Sequence, residues 1–290
     1  MGSAMSAHLI DRGYEVRGYD LSPALLDALR DRGGIPVASV EDLAAGSDAL
    51  ITSLPSVAAA EEVLSAIGSV LRPNLTVIET STLPLSLKAR HQQAFLGRGA
   101  QLLDCPLSGT GGQALTRDVV VFGSGDVAAF EAVTPVLEAF SRSVRYLGPF
   151  GKGTVMKFVA NLLVSVHNAA TAEAFALGLR AGLDPRQLYE TIRDGAGNSV
   201  IFEKRGPSMV ERRYLPAATK ASMYIKDIEC ITSFADDLGL ATPVLDSAMD
   251  LYRRAVTLGL GDQDAAVLLE VIGAEPETPR PGGAIPNESE

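Results

Sequence analysis

The sequence predicts an α/β chain: a mostly parallel open sheet with crossover helices, followed by an all-helical domain built on one long helix. Three observations carry this. Over residues 1–150, short apolar runs of strand type alternate with helical segments, the pattern of parallel strands joined by crossover helices. After Gly151 no strand-like run follows. Residues 152–181 then contain no proline and repeat apolar side chains at helical spacing through Met156, Val159, Leu163, Val166, Ala170 and Ala174.

The elements follow in order. Residues 3–11 read as helix and residues 14–20 (YEVRGYD) as a strand. Residues 23–32 read as helix, with Ser22 as a plausible cap and Pro23 at the first helical position. Residues 49–54 (ALITSL) form a buried strand stopped by Pro55, and residues 57–71 a helix. Residues 75–79 (LTVIE), 101–105, 119–122 (VVVF) and 144–147 read as strands, with helices at 85–96 and 128–140. In the second half the long helix, about 45 Å if straight, precedes helices near 185–194, 220–238, 243–258 and 263–271. Domains are therefore expected at 1–150 and 151–274, with a disordered tail at 275–290.

Composition excludes several classes. The 290 residues hold 25 Lys+Arg against 35 Asp+Glu, a formal charge of −10, and 47% are hydrophobic. That is too apolar for a disordered chain and too acidic overall for a nucleic-acid binder or a cationic membrane-surface protein. Cys105 and Cys230 are far apart and form neither a CxxC pair nor a disulfide framework. No signal-peptide pattern opens the chain, and the apolar stretch at 155–179 is interrupted by Lys157, Asn161, His167, Asn168 and Glu173. A soluble, cytoplasmic protein is expected. His8, His91 and His167 are scattered, so no metal is expected. Gly151-Lys152-Gly153-Thr154 lacks the Walker spacing, and Gly123-Ser124-Gly125 lacks the spacers of a nucleophile elbow.

The start is unusual. A dinucleotide-binding unit of Rossmann type opens with a strand, a glycine-rich turn and a helix, and places an acidic residue at the end of the second strand. Here Met1-Gly2 leads directly into a helix and then a strand ending at Asp20. The other reading is an ordinary chain start, with Asp20 capping residues 22–24.

Four segments add specificity: QLLDCPLSGTGGQA at 101–114, GPFGKGTVMKFVAN at 148–161, MYIKDIE at 223–229 and LGLGDQDAA at 258–266. Together with MGSAMSAHLI at the start, Asp20, Leu54-Pro55 and ETST at 79–82, they resemble the β-hydroxyacid dehydrogenase family over nearly the whole chain. The resemblance implies a Rossmann-type cofactor domain and hydride transfer between a small 3-hydroxy acid and NAD or NADP. The family opens with GLGxMG after a first strand, and only its closing Met1-Gly2 stands here. The expectation is a start roughly ten residues late, one strand and a phosphate turn short.

By the same resemblance, Met1, Gly2, Leu54, Pro55, Thr82 and Lys226 contact the cofactor, Lys226 lying beside Asp227. Asp20 accepts from the adenosine ribose, which favours NAD, with NADP the alternative. The family often has Asn just after the LP pair. Here that region is Val57-Ala58-Ala59-Ala60, so the contact is not carried over. Ser108, Gly109 and Thr110 match the substrate loop, where glycine lets main-chain N–H groups approach a carboxylate. Thr110 replaces a second glycine and could add a hydrogen bond to a hydroxylated substrate.

Lys157 matches the general acid/base and Asn161 a substrate binder. Alcohol oxidation needs a group that removes the hydroxyl proton, and a lysine can do so once burial pulls its pKa toward neutrality. Asn161, four residues on, shares its helical face. A snorkelling surface lysine is the competing reading for Lys157, and an ordinary surface charge pair for Lys226-Asp227. Lys157 is expected in a crevice between the two domains. Competing functions are an imine reductase on the same fold and a non-catalytic nucleotide-binding module. The long apolar helix further implies a homodimer or homotetramer.

Overall fold

The computed structural model describes residues 1–274, so the tail expected at 275–290 lies outside the described residues. The first part of the chain runs α1 (Gly2–Asp11), β1 (Arg17–Gly18), α2 (Pro23–Asp31), β2 (Ile35–Pro36), α3 (Val40–Ala45), β3 (Ala49–Thr52), α4 (Val57–Ser69), β4 (Thr76–Glu79), α5 (Leu85–Leu96) and β5 (Gln101–Asp104). It continues through β6 (Leu107–Ser108), α6 (Gly111–Leu115), β7 (Val120–Gly123), α7 (Val127–Phe140) and β8 (Ser143–Tyr146). Helices follow: α8 (Lys152–Arg180), α9 (Pro185–Arg193), α10 (Val200–Glu211), α11 (Ala221–Asp237), α12 (Pro243–Thr257) and, after a 3₁₀ turn at Ala265–Val267, α13 (Leu268–Gly273).

Two compact units result. The first holds Met1–Ser165 with Met223–Leu245; the second holds Val166–Ser222 and the described residues from Asp246 onward. The division of contacts falls within α8 and α12 and at the start of α11, so the opening turns of α8 and most of α11 pack with the strand-bearing unit.

In the first unit the strands form three small sheets rather than one. β1 pairs with β2, β3–β4–β5 form a parallel set, and β7 pairs with β8 in parallel and with β6 in antiparallel fashion. Pro106, which has no ladder donor, lies two residues beyond β5, and an isolated bridge links Asp104 at the end of β5 to Ser124, just after β7. The strand expected at 14–20 shortens to Arg17–Gly18, because a ladder exists only where Ile35 and Pro36 supply the partner.

All four residues of β4 are buried, as expected for a central parallel strand covered on both faces. Its side chains alternate. Val77 joins a core with Leu50, Leu64, Ile67, Leu83 and Phe95. Ile78 faces the opposite way, into Met5, Leu9, Leu103, Phe130, Leu137 and Phe140. Ser22 stands at the N-cap of α2 without a side-chain capping bond; instead its N–H donates to Asp20 Oδ1 at 2.8 Å.

In the second unit α10 is a helix absent from the expected set, and it runs through Gly206-Pro207. Pro207 withholds the N–H that Glu203 O would accept, and the Tyr189 hydroxyl of α9 donates to that carbonyl at 3.2 Å instead. Gly206 sits under the Tyr189 ring, where a Cβ would lie 2.5 Å from Cδ2. By length and composition α8 could cross a membrane. The Asn168 amide on it is nonetheless buried and paired within the protein: it donates to the Tyr252 hydroxyl and to Ala265 O, each at 3.0 Å. A buried amide paired in this way suits packing against protein.

Candidate active site

The first turn of α8 butts against the ends of β5 and β7. Only glycine at 153 permits this, because a Cβ there would collide with the carbonyl oxygens of Phe122 and Asp104. Gly153 N donates to Ser124 Oγ at 2.9 Å and Thr154 N to Asp104 Oδ2 at 2.7 Å. A serine hydroxyl and a carboxylate therefore receive two of the free N–H groups at the positive end of a 29-residue helix.

One turn further along is Lys157, 9% exposed. Its amine has no hydrogen bond or ion pair among the described residues. Burial pulls its pKa from 10.5 down to about 8; Asp227 opposes this and Lys226 reinforces it. The snorkelling alternative is therefore set aside. Asn161, on the same face, donates through Nδ2 to Asp227 Oδ2 at 2.9 Å. That leaves the amide oxygen as the acceptor available to an incoming hydroxyl.

Lys226 lies beside Asp227 on α11. Its Nζ is 3.2 Å from Asp227 Oδ1 and donates to Thr82 O at 2.9 Å. Two residues singled out separately in the sequence, 144 positions apart, are thus in contact. Leu54 N donates to Ser81 Oγ at 2.7 Å, which ties the Leu54-Pro55 turn to the 80–82 loop. Lys157, Asn161, Lys226, Thr82, Leu54 and Pro55 all fall in the first unit. Asp227 is the residue the sequence reading left out of the site. Its signal was present: an acid next to Lys226 on a helix with buried neighbours.

Asp20, Leu54-Pro55 and Thr82 each follow the carboxyl end of a strand in a parallel pair. Crevices at such ends are where open α/β sheets take dinucleotides, so the residues present suit a nicotinamide cofactor. Asp20 is exposed and spends one oxygen on Ser22 N, leaving the other for a ribose hydroxyl. Met1 caps α1 and Gly2 is its first residue.

The 108–110 loop corrects part of the expectation. Gly109 has φ of +145°, and a Cβ there would lie 2.7 Å from Val119 Cγ1, so glycine is required by the turn and its packing. The Thr110 hydroxyl and N–H are engaged in a capping box with Gln113: Gln113 N donates to Thr110 Oγ1 at 3.3 Å, and Thr110 N donates to Gln113 Oε1 at 3.1 Å. The Thr110 N–H is therefore not free to cradle an anion. Ser108, half-buried at the end of β6, keeps its hydroxyl for other use.

A parallel-stranded unit with acceptors at its strand ends, beside a buried lysine, suits a nicotinamide-dependent oxidoreductase. Comparison with known proteins agrees. Residues 1–148 match the family described as the NAD binding domain of 6-phosphogluconate dehydrogenase. Residues 151–272 match that described as NAD-binding of NADP-dependent 3-hydroxyisobutyrate dehydrogenase. L-threonate dehydrogenase of Cupriavidus necator is 30% identical, covering 100% of this chain and 96% of its own. The enzyme of the same name from Haemophilus influenzae is 32% identical, over 93% of this chain and 91% of its own. The crystal structure of 3-hydroxyisobutyrate dehydrogenase from Salmonella typhimurium superposes with a TM-score of 0.85 at 28% identity, covering 93% of this chain and 95% of that one. The chain belongs to the β-hydroxyacid dehydrogenase family and is an NAD(P)-dependent oxidoreductase acting on a hydroxyl group.

Proposed function

We propose that the protein oxidises a small, polar 3-hydroxy acid, with Lys157 as the general acid/base and NAD as the preferred cofactor. The observation that carries this is the buried, unpartnered Lys157 amine, one helical turn from an asparagine held by Asp227. A nicotinamide cofactor held at Asp20, Leu54-Pro55 and Thr82 would supply the hydride acceptor for the carbinol carbon. In the neutral form the Lys157 amine takes the hydroxyl proton as the carbonyl forms; in the reverse reaction the ammonium returns it. Asn161 offers its amide oxygen to the same hydroxyl. Asp227 prevents that amide from turning over and keeps positive charge balanced beside Lys226. Ser108 and the backbone at Gly109 receive the substrate carboxylate. Lys226, through Thr82 O, holds the loop against which the cofactor lies.

L-threonate is the first candidate substrate, since enzymes named for it are among the relatives at 30% identity or above. The free Asp20 oxygen favours NAD, because a carboxylate there repels the 2′-phosphate of NADP. Exposed Met156, Val159 and Leu163 on α8 support a homodimer or homotetramer, and a cytoplasmic location belongs to the same proposal.

The test is a panel of L-threonate, 3-hydroxyisobutyrate, L-serine and glycerate with NAD and NADP, following reduced-cofactor absorbance. Lys157→Ala should lower kcat by about a hundredfold or more with little change in the Kd for NAD. Full activity in that variant refutes the assignment.

A further inference from the structure

Behind the site lies a buried charge cluster that the mechanism above does not use. Lys88 on α5 is fully buried. Its amine is 2.6 Å from Glu79 Oε2 and 2.8 Å from Asp104 Oδ1, and donates to Ser81 O at 2.8 Å. Glu79 and Asp104 end the adjacent strands β4 and β5 in direct register. Burial alone would lower the lysine's pKa, but the Asp104 and Glu79 carboxylates outweigh it and hold the amine protonated. One ammonium facing two carboxylates leaves one negative charge over. The remaining donors meet it: Ser81 N on Glu79 Oε1 at 2.8 Å, Thr154 Oγ1 on Asp104 Oδ1 at 2.7 Å, and Thr154 N and Ser124 Oγ on Asp104 Oδ2.

Such a cluster is a poor way to gain stability. Taking charges out of water is costly, and apolar residues of similar volume often do as well. Its contacts suggest another purpose. Through Asp104 it grips the first turn of α8, three residues before Lys157. Through Ser81 O it grips the loop whose next carbonyl, Thr82 O, receives Lys226, and whose Ser81 hydroxyl receives Leu54 N. Two backbone segments that the proposed function assigns to proton transfer and cofactor binding are therefore set by one amine.

We propose that Lys88 is a positioning residue of the dehydrogenase reaction: with Glu79 and Asp104 it fixes the start of α8, and so the place of the Lys157 amine, relative to the 80–82 loop. The inference rests on Lys157 being the acid/base. Lys88→Met alone would leave two facing carboxylates and risks unfolding. The paired variant Lys88→Met/Glu79→Gln keeps the cluster's net charge unchanged. Thr154→Val removes one Asp104 contact and nothing else of that cluster. Both are assayed with the substrate panel above, with NAD affinity measured separately by fluorescence titration and folding by thermal melting.

Thr154→Val should lower kcat about threefold or more with melting temperature and Kd for NAD close to wild type. The paired variant should lower kcat about tenfold or more and also weaken NAD binding, since it disturbs the loop as well. A purely structural cluster would lower the melting temperature and leave kcat alone. Wild-type kcat in either folded variant overturns the proposal. Lys157→Ala, run alongside, separates the two claims. If it is inactive while the cluster variants are normal, only the positioning role falls. If it is active, the acid/base assignment falls and takes this inference with it.

Discussion

In the proposed reaction, burial is what suits the Lys157 amine to proton transfer. Its pKa drops from 10.5 to about 8 chiefly because burial disfavours the charged form. Alcohol oxidation needs the neutral amine, so kcat/KM for oxidation should rise with pH and level off above about 8. The reverse reduction, which needs the ammonium, should fall over the same range. A flat profile between pH 6 and 9 would contradict the assignment. The same shift has a stability consequence of opposite sign to a salt bridge. Below about 8 the amine is charged in both folded and unfolded chains, so the whole desolvation cost, on the order of 3 kcal/mol, is present. Between about 8 and 10.5 the unfolded chain binds more protons, and the cost fades. Lys157→Met should therefore melt higher than wild type at pH 7, and the gap should close toward pH 10, while activity is lost.

At the scale of elements, two helices show how backbone punctuation misleads. Gly151-Lys152-Gly153-Thr154 looks like part of a phosphate loop. In the fold, Gly153 lets α8 touch the carbonyls of Phe122 and Asp104. Gly206-Pro207 looks like a helix end, yet α10 runs through it because Tyr189 takes over the orphaned Glu203 carbonyl. Tyr189 cannot move aside readily: its ring stacks on Phe202 at 5.6 Å. Gly206→Ala should consequently destabilise the protein by about 1–3 kcal/mol, despite alanine's better helix propensity. Equal or higher stability in a denaturant titration would show that the ring yields.

At the scale of the whole molecule, the charge of −10 and the exposed apolar residues on α8 make separate demands. The first favours solubility; in the proposed assembly the second would be covered. Met156, Val159, Leu163 and Leu177 are each more than 40% exposed, in a helix with a mean hydropathy of 1.3 over its most apolar stretch. Light scattering should give a mass at least twice 30.4 kDa. A pure monomer at micromolar concentration would contradict the assembly.

The α/β class, the switch to helices after Gly151, the long helix and the pairing of Lys157 with Asn161 were all legible in the sequence. They depend on local periodicity and on spacing along one helix, which the chain carries in itself. The contact between Lys226 and Thr82, the place of Asp227, the occupied backbone of Thr110 and the Lys88 cluster were not. Each depends on which strand ends lie side by side, a matter of long-range packing. An acid closing the apolar runs LTVIE and QLLD, and a lysine on the inner face of α5, were the available hints. Periodicity shows that such charges are buried. Only the tertiary structure decides which partner meets them, because a buried charge is tolerated solely where another element brings its counter-charge or donor.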